Sequence, residues 1–193
     1  MKKMTKEGEG WDNPKDNCKV TLKVEAATTF TTGGSEPLPG FEAKTLVFTA
    51  GAGEVCDALE LAVCEMKLGE RAVVTCAKPQ MFQDEQLGLK DVSAKMASFT
   101  VELLAFGLQS KETWKMDPAE KVEHSELIKD RGGTLFKQGR IDMAMRSYKK
   151  VIDMFSYLDN LKEEKEKAKE IKKMCELNMA ACRLRRGGDA GGK

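Results

Sequence analysis

The hydrophobic pattern of this chain changes period once, near Gly107, and that change asks for two kinds of fold in one polypeptide. Before it, apolar residues alternate with polar ones. In CKVTLKVEA, Val20, Leu22 and Val24 share one face, and the runs TLVFTA, RAVVTCA and ASFTVELLAF repeat the pattern between turn residues. One segment departs from the alternation. In EVCDALELAVCEMKLGE, Val55, Leu59, Ala62, Val63 and Met66 recur at helical spacing until Gly69 stops them. The first part of the chain therefore reads as a sheet with one amphipathic helix packed on it.

After Gly107 the sequence reads as helix. Asp117 is placed to cap a helix and Pro118 suits its first turn. The spacing predicts a first helix over Ala119–Lys137, broken at Gly139, a second from Ile141 to about Tyr157, and a third from Leu161 to Arg186, with GGDAGGK as a tail. The charges of KEEKEKAKEIKK alternate in sign. They read as a solvated helix face with i,i+4 pairs in preference to a basic localisation signal.

Composition excludes several functions. No apolar run approaches the roughly 18 residues a membrane helix needs, so no membrane partner is expected. The start, MKKMTKEGEG, lacks the apolar core of a secretory leader, which points to the cytoplasm or nucleus. A net charge of +1 offers no field to steer nucleic acid. The six cysteines form no CxxC pair and there is one histidine, so no metal or other cofactor is expected; the thiols read as reduced, small core residues. His124, alone on a helix, reads as an ordinary surface residue. Gly51-Ala52-Gly53 lacks the downstream residues of a dinucleotide fingerprint and reads as a turn.

Three segments in order, FEAKTLVFTAGAGEV, ALELAVCEMKLGERAVVT and SFTVELLAF, resemble the FKBP family of peptidyl-prolyl isomerases. A second resemblance lies downstream. KDRGGTLFKQGRIDMAMRSYKKV places Lys129, Gly132, Phe136, Gly139, Ala144 and Tyr148 on the pattern of a tetratricopeptide repeat, and CELNMAACRL is similar to the start of the next one. Together they imply an α+β FKBP-like domain, an antiparallel sheet wrapped on one helix, over residues 8–108. A linker over 109–117, all-α tetratricopeptide helices over 118–187 and a disordered tail over 188–193 would follow.

The FKBP resemblance implies a proline pocket made of Val24, Phe41, Glu42, Phe48, Val55, Cys56, Leu59, Phe82 and Phe99, with the Cys56 backbone amide donating to a bound carbonyl. Phe41, Phe48 and Phe99 are also readable as plain core residues. Several family features are replaced. Leu59 stands where the tryptophan floor belongs, Glu42 for the rim aspartate, and Val24 for the first-strand tyrosine. The loop after Pro79 reads QMFQDEQ, with Phe82 as its aromatic residue, and no tyrosine precedes Tyr148. No catalytic residue is singled out. The resemblance implies a family member with a degraded pocket, weak or absent in catalysis and acting as a co-chaperone or interaction scaffold; the alternative is an active isomerase assisting protein folding. Partners would be proline-containing protein segments. In the helical part Lys129 and Asn178 match two positions of a clamp for the C-terminal carboxylate of a heat-shock chaperone, a partner expected only for a longer form with more repeats.

Overall fold

The computed structural model describes residues 1–90, 92–107, 111, 113–157 and 159–190. The chain forms two compact units, Met1–Ser110 and Lys111–Lys193.

Unit one is a six-stranded antiparallel sheet built from β1 (Lys2–Lys6), β2 (Lys19–Thr31), β3 (Gly34–Pro37), β4 (Lys44–Thr49), β5 (Arg71–Cys76) and β6 (Ala97–Phe106). The order is β1-β5-β6-β2-β3, with β4 also paired to β2. Four strands coincide with the alternating runs. β1 and β3 do not, since KKMTK and GSEP carry almost no apolar residue to signal a buried face. The sheet therefore begins at Lys2, ahead of the domain start expected at residue 8. β1 is attached by its ladder to β5 and by Lys2, whose ammonium donates to the buried Glu70 carboxylate at 2.6 Å.

The central strand shows how sequence sets register. Val20, Leu22 and Val24 point inward at period two, but the next buried residue is Ala27, three positions on. The pairing of β2 with β6 shifts between Val24 and Ala26, a bulge that reverses the parity of the strand and returns Ala27 to the core opposite Phe99. Behind the sheet lies α1 (Asp57–Val63), which gives Ala58, Leu59, Ala62 and Val63 to the core. This helix is shorter than the spacing suggests. Met66 is fully buried but lies beyond its end, and Gly69 takes a left-handed φ of 73° at the turn into β5. A turn that repeats the helical spacing of its apolar residues is indistinguishable from helix in the sequence.

Unit two contains α2 (Pro118–Lys137), α3 (Ile141–Met154) and α4 (Lys165–Ala190). Asp117 accepts from the Glu120 amide and Glu120 accepts from the Asp117 amide, both at 2.8 Å, a reciprocal cap that fixes where α2 begins. Gly139, at φ 78°, turns the chain into α3. The third helix differs from expectation at both ends. Asp159–Glu164 is a 3₁₀ turn, and α4 runs through Gly187 to Ala190 where a tail was expected from residue 188. Gly187 and Gly188 each cost a helix only about 1 kcal/mol, too little to end one already propagating without a left-handed cap. Residues 191–193 lie outside the described residues, as do 109, 110 and 112 of the expected linker.

Tyr148 on α3 is almost wholly buried, and burial pushes its hydroxyl pKa up to about 12. Its ring lies against Gly132 of α2, where a Cβ would approach Cε1 to 2.7 Å. His124 is half-buried rather than on the surface, and burial followed by the charge of Arg131 favours its neutral form.

Helix propensity alone would make Gly132→Ala stabilising by about 1 kcal/mol, but overpacking against the Tyr148 ring costs about 1–3 kcal/mol. We expect Gly132→Ala to lower the urea midpoint of the helical unit. Gly187→Ala, with nothing within 4 Å of its Cβ, should raise helicity or leave it unchanged. Equal effects at the two glycines in far-ultraviolet circular dichroism would contradict the packing argument.

Candidate functional site

The entrance to α1 is a loop held together by carboxylates. Gly51 and Gly53 have φ of 78° and 77°, a conformation that leaves their amides facing the same way. Both donate to one side chain, Gly51 to Glu60 Oε2 at 2.7 Å and Gly53 to Glu60 Oε1 at 2.8 Å. Glu60 is on α1 itself and is 1% exposed. The Gly-Ala-Gly turn is thus filled by the protein's own anion, which leaves it no role as a phosphate cradle.

Of the nine expected pocket residues, Val24, Phe48, Val55, Cys56, Leu59, Phe82 and Phe99 belong to one buried cluster, and Phe41 packs against it half-buried. Glu42 is exposed and stands apart from that cluster; its backbone amide donates to the Leu87 carbonyl at 3.2 Å. Val24, Phe48 and Phe99 come from the adjacent strands β2, β4 and β6, with Phe48 opposite Val20 and Phe99 opposite Ala27. Phe82 follows the 3₁₀ turn Pro79–Met81, and its ring is 0% exposed, so it closes the cluster instead of lining an opening. An open groove of about 340 Å³ runs past Val24, lined by Lys23, Glu25, Ala43, Lys44 and Thr45; among the expected pocket residues it includes Val24 alone.

The Cys56 amide, expected to donate to a bound carbonyl, donates to Asp84 Oδ2 at 2.9 Å in a buried bond. The second oxygen of Asp84 accepts from the Gln86 amide at 2.9 Å. Sequence reasoning passed over Asp84. The signal available was slight: aspartate is a favoured cap, and Asp84 caps the 3₁₀ turn Glu85–Leu87. Nothing local distinguishes it from Glu85 next to it, which is exposed.

In unit two the expected clamp residues lie on α2 and α4. Lys129 is half-buried and pairs with Asp130 at 3.3 Å, and Asn178 is half-buried. Burial raises the Cys175 thiol pKa to about 11, and the Lys129 ammonium is near enough to oppose that rise. Since Cys175 precedes Asn178 by three positions on α4, Lys129 and Asn178 lie on neighbouring turns of facing helices. Among the described residues no three His, Cys, Asp or Glu side chains converge as a metal site, and no helix is long and apolar enough to cross a membrane.

Residues 10–104 match the family model of the FKBP-type peptidyl-prolyl cis-trans isomerase. The peptidyl-prolyl cis-trans isomerase FKBP4 of Mus musculus is 28% identical over 190 residues, covering 96% of this chain and 40% of that protein. The peptidyl-prolyl cis-trans isomerase PASTICCINO1 of Arabidopsis thaliana is 27% identical over 144 residues, covering 74% of this chain and 22% of that protein. The chain thus spans well under half the length of these curated relatives. Among solved structures, the crystal structure of residues 1–211 of CG17282 aligns with a TM-score of 0.69 and 17% identity, covering 100% of this chain and 92% of that one, a likeness of fold.

The Glu60 carboxylate satisfies two loop amides, and leaving a buried donor unpaired costs about 1–3 kcal/mol. Glu60→Ala should therefore destabilise unit one by about 2–4 kcal/mol in chemical unfolding, whereas Glu54→Ala, exposed on the same loop and accepting from the Thr49 amide at 3.1 Å, should cost less than half of that. Equal losses would show that burial of the acid is not what holds the loop.

Proposed function

Because residues 10–104 are an FKBP-type domain, we propose that this domain is weak or inactive as an isomerase and serves, with the helices after it, as a co-chaperone or interaction scaffold. The observation that carries this reading is the burial of the pocket positions: Leu59, Phe82 and Phe99 are each 0% exposed, so they fill the site.

Rotation about an X-Pro bond faces a barrier of about 18–20 kcal/mol. An isomerase lowers it with a dry apolar pocket shaped for the twisted amide and with donors fixed where the carbonyl needs them. Here the walls touch one another, no phenol hydroxyl stands in the first unit, and the Cys56 amide already has an acceptor. Loss of one fixed donor alone costs about 10²–10³ in rate.

The helical unit reads as the opening of a tetratricopeptide array. Its support is the Gly132–Tyr148 contact, a small residue receiving an aromatic ring at the repeat's spacing. Partners would be proline-containing protein segments for the first unit. For a longer form with more repeats they would include the C-terminal tail of a heat-shock chaperone, gripped partly by Lys129 and Asn178. The six cysteines are free thiols, which suits the cytoplasm or nucleus.

In a proline-isomerisation assay the chain should fall at least about 100-fold below an intact FKBP domain in kcat/KM. Calorimetry with the drug class that binds active FKBP domains should show no submicromolar binding, and Leu59→Trp alone should not restore it, because the 80–86 loop still lacks a hydroxyl donor. Turnover near that of an intact domain would establish the alternative, an active folding isomerase.

Each charge-assisted bond in a carboxylate clamp contributes about 1.5–3 kcal/mol before ordering costs. Two are too few to hold a flexible tail. A labelled chaperone C-terminal peptide should therefore not bind this chain measurably, should bind a longer form, and should lose about tenfold or more in affinity there on Lys129→Ala. Equal affinity for the two lengths would remove the clamp from the account.

A further inference from the structure

The segment from Asp84 to Leu89 lies against the buried cluster and is tied to three separate parts of unit one. Its ends are joined to each other: Asp84 donates to the Leu89 carbonyl at 3.2 Å and Leu89 to the Asp84 carbonyl at 2.8 Å. Between them, Leu87 accepts from the Glu42 amide, and Gln86 Nε2 donates to the Glu54 carbonyl at 2.9 Å. The third tie is the bond from the Cys56 amide to the Asp84 carboxylate. Leu87 and Leu89 are both 0% exposed, so the segment presses two apolar side chains into the cluster it covers.

These ties differ in kind. The Glu42 and Glu54 contacts are neutral bonds with water close by, since Glu42, Glu54 and Gln86 are exposed. The Asp84 contact is buried and charge-assisted, which makes it roughly twice as strong as a neutral bond. Close approach adds a steric condition. Gly88 sits at φ 71°, and a Cβ there would lie 2.1 Å from the Gly40 carbonyl oxygen, so the segment fits only while it presents a bare backbone to the 38–42 loop. The pieces form a closed loop, short enough to move as one body, with one strong attachment and several weak ones.

We propose that Asp84–Leu89 is a strap that holds the pocket shut, with the Asp84 carboxylate as its latch on the Cys56 amide; the inference rests on the reading of a closed, weakly catalytic domain given above. The latch is an internal competitor. A neutral peptide carbonyl reaches the Cys56 amide only by displacing an anion from it, so the apolar cluster stays closed to X-Pro segments while Asp84 is in place. Releasing the carboxylate frees the amide and lets Leu87 and Leu89 lift away together.

The test is amide hydrogen exchange by nuclear magnetic resonance on the full chain, with a Leu-Pro tetrapeptide as the binding probe. In Asp84→Ala the Cys56 amide should exchange about tenfold or more faster, while the amides of Val74 and Val101 in the central strands stay as slow as before. The tetrapeptide should then shift resonances of Val55 and Phe99, which it leaves unmoved in the unaltered chain. Asp84→Asn keeps one oxygen acceptor but loses the charge and the second acceptor, so Cys56 exchange should rise by less than in Asp84→Ala. Unchanged Cys56 exchange in Asp84→Ala would overturn the latch, and a freed Cys56 amide without peptide shifts would overturn the strap as a seal. Should Asp84→Ala fail to fold, Gln86→Ala decides: it removes an exposed tie, and the Gln86–Leu89 amides should exchange faster with the sheet intact. No change there overturns the strap. Isomerase turnover by the unaltered chain would refute the closed-domain reading and is scored separately from these exchange rates.

Discussion

Buried carboxylates that accept backbone amides hold the loops around α1, and the rest of unit one depends on them. Glu60 takes the amides of Gly51 and Gly53, Glu70 takes the Lys67 amide at 2.9 Å together with the Lys2 ammonium, and Asp84 takes those of Cys56 and Gln86. An ionised acid in the interior is costly unless its oxygens are occupied, and a loop amide turned inward is costly unless it finds an acceptor. Each acid solves both problems at once. The seven-residue α1 has little length with which to stabilise itself, and its placement against the sheet is set by the loops that enter and leave it.

The same economy holds in the apolar cluster. Phe48, Phe82 and Phe99 are among the largest fully buried side chains, and burying a ring of this kind is worth about 1.5–3 kcal/mol. Leu59 packs among them in the same buried cluster, and close packing is the ordinary state of an apolar interior. A buried hydroxyl in the 80–86 loop would need a hydrogen-bond partner. Phe82 carries no such requirement.

The helical unit follows a different rule. Its long elements are specified locally, by the Asp117–Glu120 cap and by Gly139, and then by one steric condition, the bare Cα of Gly132 beneath Tyr148. α4 buries Ala168, Ile171, Cys175 and Cys182 on one side and exposes Met174, Leu177 and Leu184 on another. The buried cysteines behave as small apolar residues. Burial raises the pKa of Cys175 and Cys182 and keeps them as thiols.

Periodicity determined four of the six strands and all four helices, though not their exact ends, because a half-buried face imprints its period on any element that has one. β1 and β3 left no such imprint. They lie at the sheet edges with exposed residues on both sides, and only hydrogen bonding to β5 and β2 makes them strands. Seven residues that the motif order assigned to a proline pocket, Val24, Phe48, Val55, Cys56, Leu59, Phe82 and Phe99, lie in one buried cluster. What occupies the Cys56 amide was decided by tertiary structure alone. Its contact is with Asp84, 28 positions away, and a hydrogen bond between a backbone amide and a distant carboxylate leaves no period, spacing or composition by which a sequence could announce it.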